Sequence, residues 1–248
     1  MERFWLKNYP PGVPHDIDTG QYNSLTDLME RAFREHGDNP FSVCMNRWMS
    51  YKQLDELSTA LGAWLQNKGL EPGSRVAIML PNLPQFAVTM AAILRAGYTC
   101  VNVNPLYTPR ELEHQLKDSG ASAIVILENF AATLQEVIER TAVQHVVLAS
   151  LGDLLGPING RWLTFAVRHL AKMVPPFELP LTNGLTVTPF KKAIAVGRSL
   201  NLRPTAQTMD DIAFLQYTGG TTGLSKGAVL THRNVVAAML QAEGWFSP

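Results

Sequence analysis

The order of apolar segments along the chain places the strongest constraint on its fold. Short apolar segments of strand length occur at residues 75–80, 99–103, 122–127 and 145–150. Segments with helical spacing lie between them, for example at 84–96. Strands that alternate with helices in this way predict an α/β fold with mostly parallel sheets flanked by helices. In such folds, ligands bind at the carboxyl ends of the strands.

Local signals define several boundaries. Ser24, with Asp27 three residues later and Gly37 beyond, predicts a helix over 24–35. Thr108 followed by Pro109 and Glu111 combines an N-cap, a proline at the first helical position and a glutamate at the third, which predicts a helix start. Further helices are predicted at 52–67 and 131–140, and two short strands at 41–45 and 48–51.

Composition removes several classes of function. The chain has 248 residues, of which 46% are apolar, so it can bury a substantial core. Its formal net charge is zero, and we therefore expect no nucleic-acid partner. Cys44 and Cys100 are far apart without metal-binding spacing, which favours a reduced, cytosolic setting. The sequence shows neither a signal peptide nor an apolar run long enough to span a bilayer.

An irregular, Pro- and Gly-rich segment near 153–188 interrupts the alternation and contains no clear strand. Within it, residues 160–174 predict an amphipathic helix, with Arg161, Thr164, Arg168 and Lys172 on one narrow face and apolar residues over most of the rest. Such a cationic helix can lie in a membrane interface. The alternative is a surface helix packed on its own domain, which periodicity alone favours.

The stretch "YTGGTTGLSKG" at 217–227 contains four glycines, although glycine loses the most backbone entropy on folding. It follows a predicted buried strand at 211–217 and precedes a predicted helix that begins at Thr231. A glycine-rich turn after a strand can direct backbone N–H groups at an anion, and Ser or Thr hydroxyls add donors. Lys226 supplies a positive charge suited to phosphate oxygens. The stretch therefore predicts a polyphosphate-binding loop.

Three other loop patterns compete for these residues. The P-loop spacing fails because Gly227 follows Lys226, and the dinucleotide fingerprint fails as well. A G-x-S-x-G elbow matches at 223–227 and would make Ser225 a hydrolase nucleophile. That interpretation needs an acid and then a histidine downstream, whereas His232 precedes Glu243 on one predicted helix. We therefore disfavour a hydrolase.

The longer stretch "YTGGTTGLSKGAVLTHRN" resembles the phosphate loop of the acyl-adenylate-forming (AMP-binding) superfamily, whose common form is Tyr-Thr-Ser-Gly-Thr-Thr-Gly-x-Pro-Lys-Gly. Gly219 replaces the usual serine here, so one hydroxyl donor is lost, and Ser225 replaces the usual proline. Together with "PNLPQF", "LRAGYTCVNVNPLYTPRELEHQLKDSGASAIV" and "TAVQHVVL", the stretch is similar to bacterial long-chain fatty-acid CoA ligases. This similarity runs along most of the chain.

The resemblance implies a two-step reaction. A fatty acid carboxylate attacks the α-phosphate of ATP to give an acyl-adenylate and pyrophosphate, and the CoA thiolate then displaces AMP. It implies ATP, Mg²⁺ and CoA as ligands, with the loop on the β- and γ-phosphates and Thr221 or Thr222 as a Mg²⁺ contact. The loop residues that the resemblance assigns to ATP phosphate binding are Tyr217, Thr218, Gly219, Gly220, Thr221, Thr222, Gly223, Leu224, Ser225, Lys226, Gly227 and Ala228. We interpret His232 as a structural or capping-region histidine, since no acid lies near it in the sequence.

The resemblance also limits what the chain can do. Residues 1–248 match the N-terminal part of such a ligase, and the motifs of the C-terminal half and small lid domain, which carry catalytic residues and the CoA site, are absent. We therefore expect the chain alone to be inactive, with strand edges and apolar faces exposed. The expected setting is cytoplasmic, with peripheral contact at the inner face of the membrane through 160–174 and a homodimer for the full-length enzyme. Medium-chain or aryl acids remain alternative substrates, and a non-catalytic membrane- or partner-binding module is the alternative function.

Overall fold

The computed structural model describes residues 3–181, 184–218 and 225–246. The α-helices are α1 Leu25–His36, α2 Tyr51–Gln66, α3 Pro84–Arg95, α4 Pro109–Ser119, α5 Ala131–Gln135, α6 Pro157–Phe165, α7 Phe190–Gly197 and α8 His232–Phe246. The strands are β1 Pro40–Cys44, β2 Arg47–Ser50, β3 Arg75–Met79, β4 Thr99–Asn102, β5 Ala123–Leu127, β6 His145–Ala149, β7 Thr186–Pro189, β8 Ile212–Thr218 and β9 Lys226–Thr231. Short 3-10 turns and one π turn complete the described elements.

Seven of the strands form one sheet in the order β7-β6-β5-β3-β4-β8-β9. All neighbouring pairs are parallel except β8 and β9, which are antiparallel. Strands β1 and β2 form a separate antiparallel hairpin. The expectation of mostly parallel sheets flanked by helices is confirmed.

Apolar side chains alternate between the two faces of the sheet, as the period of a strand requires. On β3, Val76 and Ile78 join one cluster, whereas Ala77 and Met79 join the other. The first cluster includes residues of α1, α2, α3, α7 and α8, and the second includes residues of α4 and α5. The result is a sheet covered by helices on both faces, which agrees with the continuously apolar strands of the sequence.

The capping signals in the sequence act as expected. The Ser24 hydroxyl accepts from Asp27 N–H at the start of α1. At the start of α4, the Thr108 hydroxyl accepts from Glu111 N–H, and the Glu111 carboxylate accepts from Thr108 N–H. Gly120 ends α4 in the left-handed region with φ 62°. The boundaries of α4 are therefore fixed by local chemistry at both ends.

Several elements differ from the sequence expectations. The helix predicted over 131–140 divides into α5 and a 3-10 turn, Ile138–Arg140. Consecutive β-branched residues, Val137 and Ile138, are both buried there, and β-branching lowers helix propensity. A strand, β7, lies within the segment in which none was predicted. Strand β9 lies between the glycine-rich loop and α8, where the sequence had suggested a direct passage from loop to helix.

Candidate functional site

The predicted loop connects two adjacent antiparallel strands. Thr218 is the last residue of β8 and Lys226 is the first residue of β9, and these two residues are paired in register. The loop thus leaves the carboxyl end of β8, next to β4, as expected for ligand sites in open α/β sheets. Of the twelve predicted phosphate-binding residues, Gly219, Gly220, Thr221, Thr222, Gly223 and Leu224 lie outside the described residues.

Tyr217 anchors the first end of the loop. Its side chain is buried, and its hydroxyl donates to the Asp118 carboxylate at 2.5 Å. Burial, and then the bond to Asp118 and its negative charge, raise the pKa of the Tyr217 hydroxyl, which therefore stays protonated at neutral pH. Its ring lies over Gly227, the paired residue on β9, where a Cβ would come within 3.1 Å of the ring. Glycine at 227 is thus explained by close packing.

The second end of the loop also contacts α4, the helix that carries Asp118. The ring nitrogen Nε2 of His114 lies 3.0 Å from the carbonyl oxygen of Ser225. His114 and Asp118, four residues apart on α4, therefore contact the two opposite ends of the loop. Sequence reasoning missed both residues, because it searched the loop itself rather than the helix beside it.

A polar network lies at the ends of the neighbouring strands. The Gln115 side chain donates to the backbone carbonyl of Asn102 at 2.7 Å. The Asn102 side chain in turn donates to the side-chain oxygen of Gln216 at 2.9 Å. The side-chain oxygens of Gln115 and Asn102 are buried, and neither has a hydrogen-bond partner among the described residues. The network joins α4, β4 and β8 beside the loop.

Lys226 is exposed at the start of β9 and makes no ion pair within the described part of the chain. Thr218 and Ala228 are also exposed, and Ser225 is half-buried. A lysine without an internal partner keeps its charge available for an anionic ligand. This arrangement fits the predicted role of Lys226 toward phosphate.

His232 is fully buried at the start of α8. Its Nδ1 accepts from the backbone N–H of Leu25 at 3.1 Å, and its own backbone N–H donates to the carbonyl of Asp211 at 3.0 Å. Burial lowers the pKa of its imidazole, which keeps the ring neutral. These contacts join α8 to α1 and support a structural role for His232.

The geometry gives no support to Ser225 as a hydrolase nucleophile. The contact that the structure shows for Ser225 is through its backbone carbonyl, with His114. His232 is already bonded to Leu25, and Glu243 is exposed on α8. A base oriented by a carboxylate toward the Ser225 hydroxyl is therefore not found among the described residues.

Helix α6 packs closely against the turn that follows β6. A Cβ on either Gly152 or Gly160 would overlap the backbone carbonyl of the other, so the two segments approach at glycine. Val167 is buried, and the Arg168 guanidinium donates to the buried carboxylate of Glu128 at 2.5 Å. The side of the helix that carries these residues faces the protein.

The helical segment predicted over 160–174 begins and ends earlier in the structure, at Pro157 and Leu170. It ends in a π turn, Ala166–Leu170, and Lys172 has φ 50°, so residues 171–174 leave the helix before Pro175 and Pro176. The large apolar side chains face outward, since Trp162 is 63% exposed and Leu170 is 64% exposed. The exposed apolar residues of this surface, called here the α6 surface, are Ile158, Trp162, Phe165, Leu170 and Met173.

Within residues 3–181, 184–218 and 225–246, no group of three or more His, Cys, Asp or Glu side chains could hold a metal ion. The same residues include no helix that is both long and apolar enough to cross a bilayer.

Residues 29–247 match the model of the AMP-binding enzyme family. The chain is 47% identical over its full length to a long-chain-fatty-acid–CoA ligase of Escherichia coli O157:H7, and 45% identical over 98% of its length to one of Haemophilus influenzae. It spans 44% and 42% of these relatives, respectively, so it corresponds to less than half of each.

Solved structures share the fold. A long-chain-fatty-acid–CoA ligase of Archaeoglobus fulgidus aligns with a TM-score of 0.67 at 25% identity, covering 95% of this chain and 41% of that one. The adenylation domain of a Mycobacterium chelonae carboxylate reductase aligns with a TM-score of 0.69 at 20% identity, covering 93% of this chain and 39% of that one. The second likeness shows the fold alone.

Proposed function

Because the chain belongs to the AMP-binding enzyme family, we propose that it forms the N-terminal part of a long-chain fatty acid CoA ligase. The observation that carries this proposal is the 47% identity along the whole chain to a ligase of that name. The proposed reaction joins a fatty acid to the α-phosphate of ATP with release of pyrophosphate. Attack by the CoA thiolate on the acyl-adenylate then gives the thioester and AMP.

In this proposal, the loop from Tyr217 to Ala228 binds the ATP phosphates. Its described residues support that role, because the loop leaves the carboxyl end of β8 and Lys226 is exposed there without an ion pair to any described residue. Phosphoryl chemistry of this kind depends mainly on positioning and on neutralising charge. The chain's own contribution is to orient the triphosphate so that the fatty acid carboxylate can approach the α-phosphorus.

Magnesium is implied by the family resemblance, with Thr221 or Thr222 as a contact. Both threonines lie outside the described residues, and the described carboxylates and imidazoles include no group of three that could hold a metal. The proposal for this chain therefore assigns no step to Mg²⁺. CoA is proposed as a substrate of the whole enzyme, at a site beyond this chain.

A hybrid enzyme tests the proposed function. The chain would replace the matching 249 residues of the E. coli O157:H7 ligase, and acyl-CoA formation would be measured with palmitate, octanoate and benzoate. We expect activity to be highest with palmitate, whereas the 248-residue chain alone should form no acyl-CoA. Preference for octanoate or benzoate would favour the medium-chain or aryl alternative, and a folded hybrid inactive on every acid would contradict the proposal.

Lys226 provides the sharper test of the loop. Lys226→Ala in the hybrid should lower kcat/KM about 100-fold, the order of magnitude found for loss of one group that stabilises charge in a transition state. Lys226→Arg should retain more activity because it keeps the charge. Lys192→Ala, which removes an exposed lysine of α7, is the matched control and should leave activity unchanged.

We also propose that the α6 surface contacts an anionic membrane. Trp162, Phe165 and Leu170 are exposed there, and Arg161 and Lys172 are exposed beside them. No acidic residue lies between Asp153 and Glu178, so the surface complements anionic lipid headgroups. The protein would then work in the cytoplasm at the inner face of the membrane, where long-chain fatty acids partition. A homodimer of the full-length enzyme is proposed from the family resemblance alone.

Vesicle binding tests this contact. Trp162→Ser with Phe165→Ser, and separately Arg161→Ala with Lys172→Ala, should each weaken co-sedimentation with phosphatidylglycerol vesicles. Arg168 is kept, because its loss would leave the buried Glu128 carboxylate unpaired. Trp48→Ala, at an exposed site on the β1–β2 hairpin, is the control. Binding unaffected by both double variants would contradict the proposal, and loss of binding in the hybrid would show that the rest of the ligase covers this surface.

A further inference from the structure

Three adjacent side chains of α4 contact the strand ends around the loop. His114 lies against the Ser225 carbonyl, Gln115 donates to the Asn102 carbonyl, and Asp118 accepts from the Tyr217 hydroxyl. Positions 114, 115 and 118 share one face of a helix. That face is therefore directed at the ends of β4 and β8 and at the residue before β9.

The contacts of His114 and Asp118 lie on opposite sides of the loop. Tyr217 belongs to the strand that enters the loop, and Ser225 directly precedes the strand that leaves it. Residues four apart on a helix have Cβ atoms separated by about 5–6 Å. A single turn of α4 thus contacts both ends of the loop at a fixed separation.

Helix α4 is held firmly in the fold at both ends and along its buried face. It begins with the reciprocal Thr108–Glu111 hydrogen bonds and ends at the left-handed Gly120. Leu112 and Leu116 are fully buried in the second core cluster. Caps at both ends and buried leucines therefore hold α4 firmly in its position.

We propose that His114 and Asp118 are positioning residues of the phosphate loop. They hold Tyr217 and Ser225, at the two ends of the loop, in fixed positions, and they act without contacting the nucleotide or the acyl group. Asp118 acts through the Tyr217 hydroxyl, and His114 donates through Nε2 to the Ser225 carbonyl. This inference rests on the proposed phosphate-binding function of the loop.

The test compares truncated with conservative variants of the 248-residue chain. Asp118→Ala and His114→Ala remove the contacts. Asp118→Asn retains an acceptor for the Tyr217 hydroxyl, and His114→Gln places an amide N–H near the position of Nε2. Glu113→Ala, on the same helix but paired with Lys117 and Arg140, is the control.

Two measurements are made on each variant. Hydrogen exchange of the amides between Tyr217 and Thr231 reports how firmly the loop ends are held, without added ligand. Titration calorimetry with tripolyphosphate and Mg²⁺ reports phosphate affinity. We expect both alanine variants to exchange faster in this segment alone and to bind about tenfold more weakly, whereas the Asn, Gln and control variants should stay within about threefold of wild type.

The outcomes separate the two proposals. Unchanged exchange in the alanine variants, or Asn and Gln variants as impaired as alanine, would overturn the positioning role. Wild-type protein that does not bind tripolyphosphate would instead contradict the phosphate function. If Asp118→Ala does not fold, Tyr217→Phe removes the same bond from the other partner, and Asp118 is exposed enough to remain solvated. That variant should reproduce the faster exchange.

Discussion

Helices α4 and α6 differ in how firmly capping and buried side chains hold them to the rest of the protein. Helix α4 has reciprocal capping bonds at its start, a left-handed glycine at its end and two fully buried leucines. Helix α6 begins without a side-chain cap, continues into a π turn and leaves Trp162 63% exposed. Its contacts with the protein include a glycine-to-glycine approach, the buried side chain of Val167 in the π turn and the ion pair of Arg168. The difference suggests that α4 fixes a neighbouring loop, whereas α6 presents an apolar surface outward.

Leucine truncation should show the largest contrast between the two helices. Leu116→Ala in α4 empties a fully buried site and should lower the free energy of unfolding by about 2–5 kcal/mol. Leu170→Ala, at a site 64% exposed, should change it by less than about 0.5 kcal/mol. Urea denaturation measures both. Equal losses would mean that the α6 surface is covered in the folded chain, which would break the comparison.

Two glycine substitutions should lower stability by intermediate amounts, one through a steric overlap and the other through an unfavourable backbone conformation. Gly160→Ala in α6 would place a methyl group into the carbonyl of Gly152 and should cost about 1–3 kcal/mol through displaced backbone. Gly120→Ala after α4 meets open space and should cost about 1–2 kcal/mol, because its φ of 62° is unfavourable for alanine. Thermal unfolding compares them, and trypsin cleavage at Arg161 should accelerate only in Gly160→Ala. Faster cleavage there in both variants would show that the two helices are coupled.

Changes of pH should have the smallest effects on stability, with opposite signs for a carboxyl group on α4 and one beside α6. Hydrogen bonds from Arg140 and then Lys117 lower the pKa of Glu113 on α4 to about 2, so its contribution to stability is present above pH 4.5 and is lost as pH falls toward 2. Burial raises the pKa of Asp153, on the turn beside α6, so its contribution is present below pH 3.8 and is lost as pH rises through the raised value.

Melting temperatures between pH 3 and pH 7 check these signs. At pH 7, Glu113→Gln should melt below wild type and Asp153→Asn above it. At pH 3, the Asp153→Asn difference should nearly vanish, because the wild-type carboxyl is then protonated too. A stabilising Glu113→Gln or a destabilising Asp153→Asn at pH 7 would reverse the assigned electrostatic roles.

Where chemistry is local, the sequence predicted the structure well. The start of α4 was readable from Thr108, Pro109 and Glu111, because capping involves residues within one turn. The buried strands β3 and β5 were readable because both faces of a covered parallel sheet are apolar. The resemblance of the glycine-rich loop to a known family agreed with the family match over 29–247.

Long-range contacts could not be predicted from the sequence, because no local pattern reports them. Strand β9 contains an apolar run of only three residues, 228–230, which is short for a strand signal, and its position depends on pairing with β8. The sequence left open which side of the 160–174 segment faces the protein, because a helical wheel shows neither the Gly152–Gly160 approach nor the Arg168–Glu128 pair. Likewise, Asp118 and Tyr217 are 99 residues apart, and no local pattern links them.

The strand order carries a consequence for how the chain folds. Four strands, β3 to β6, lie within residues 75–149 and can pair with one another early. Asn102 of β4 and its partner Gln216 of β8, in contrast, are 114 residues apart. Closing so long a connection costs entropy before any contact is gained, and non-local pairing slows folding. During synthesis, the edge of β4 opposite β3 therefore stays unpaired until β8 has left the ribosome. The frame of the loop is therefore expected to form after the strands of residues 75–149 have paired.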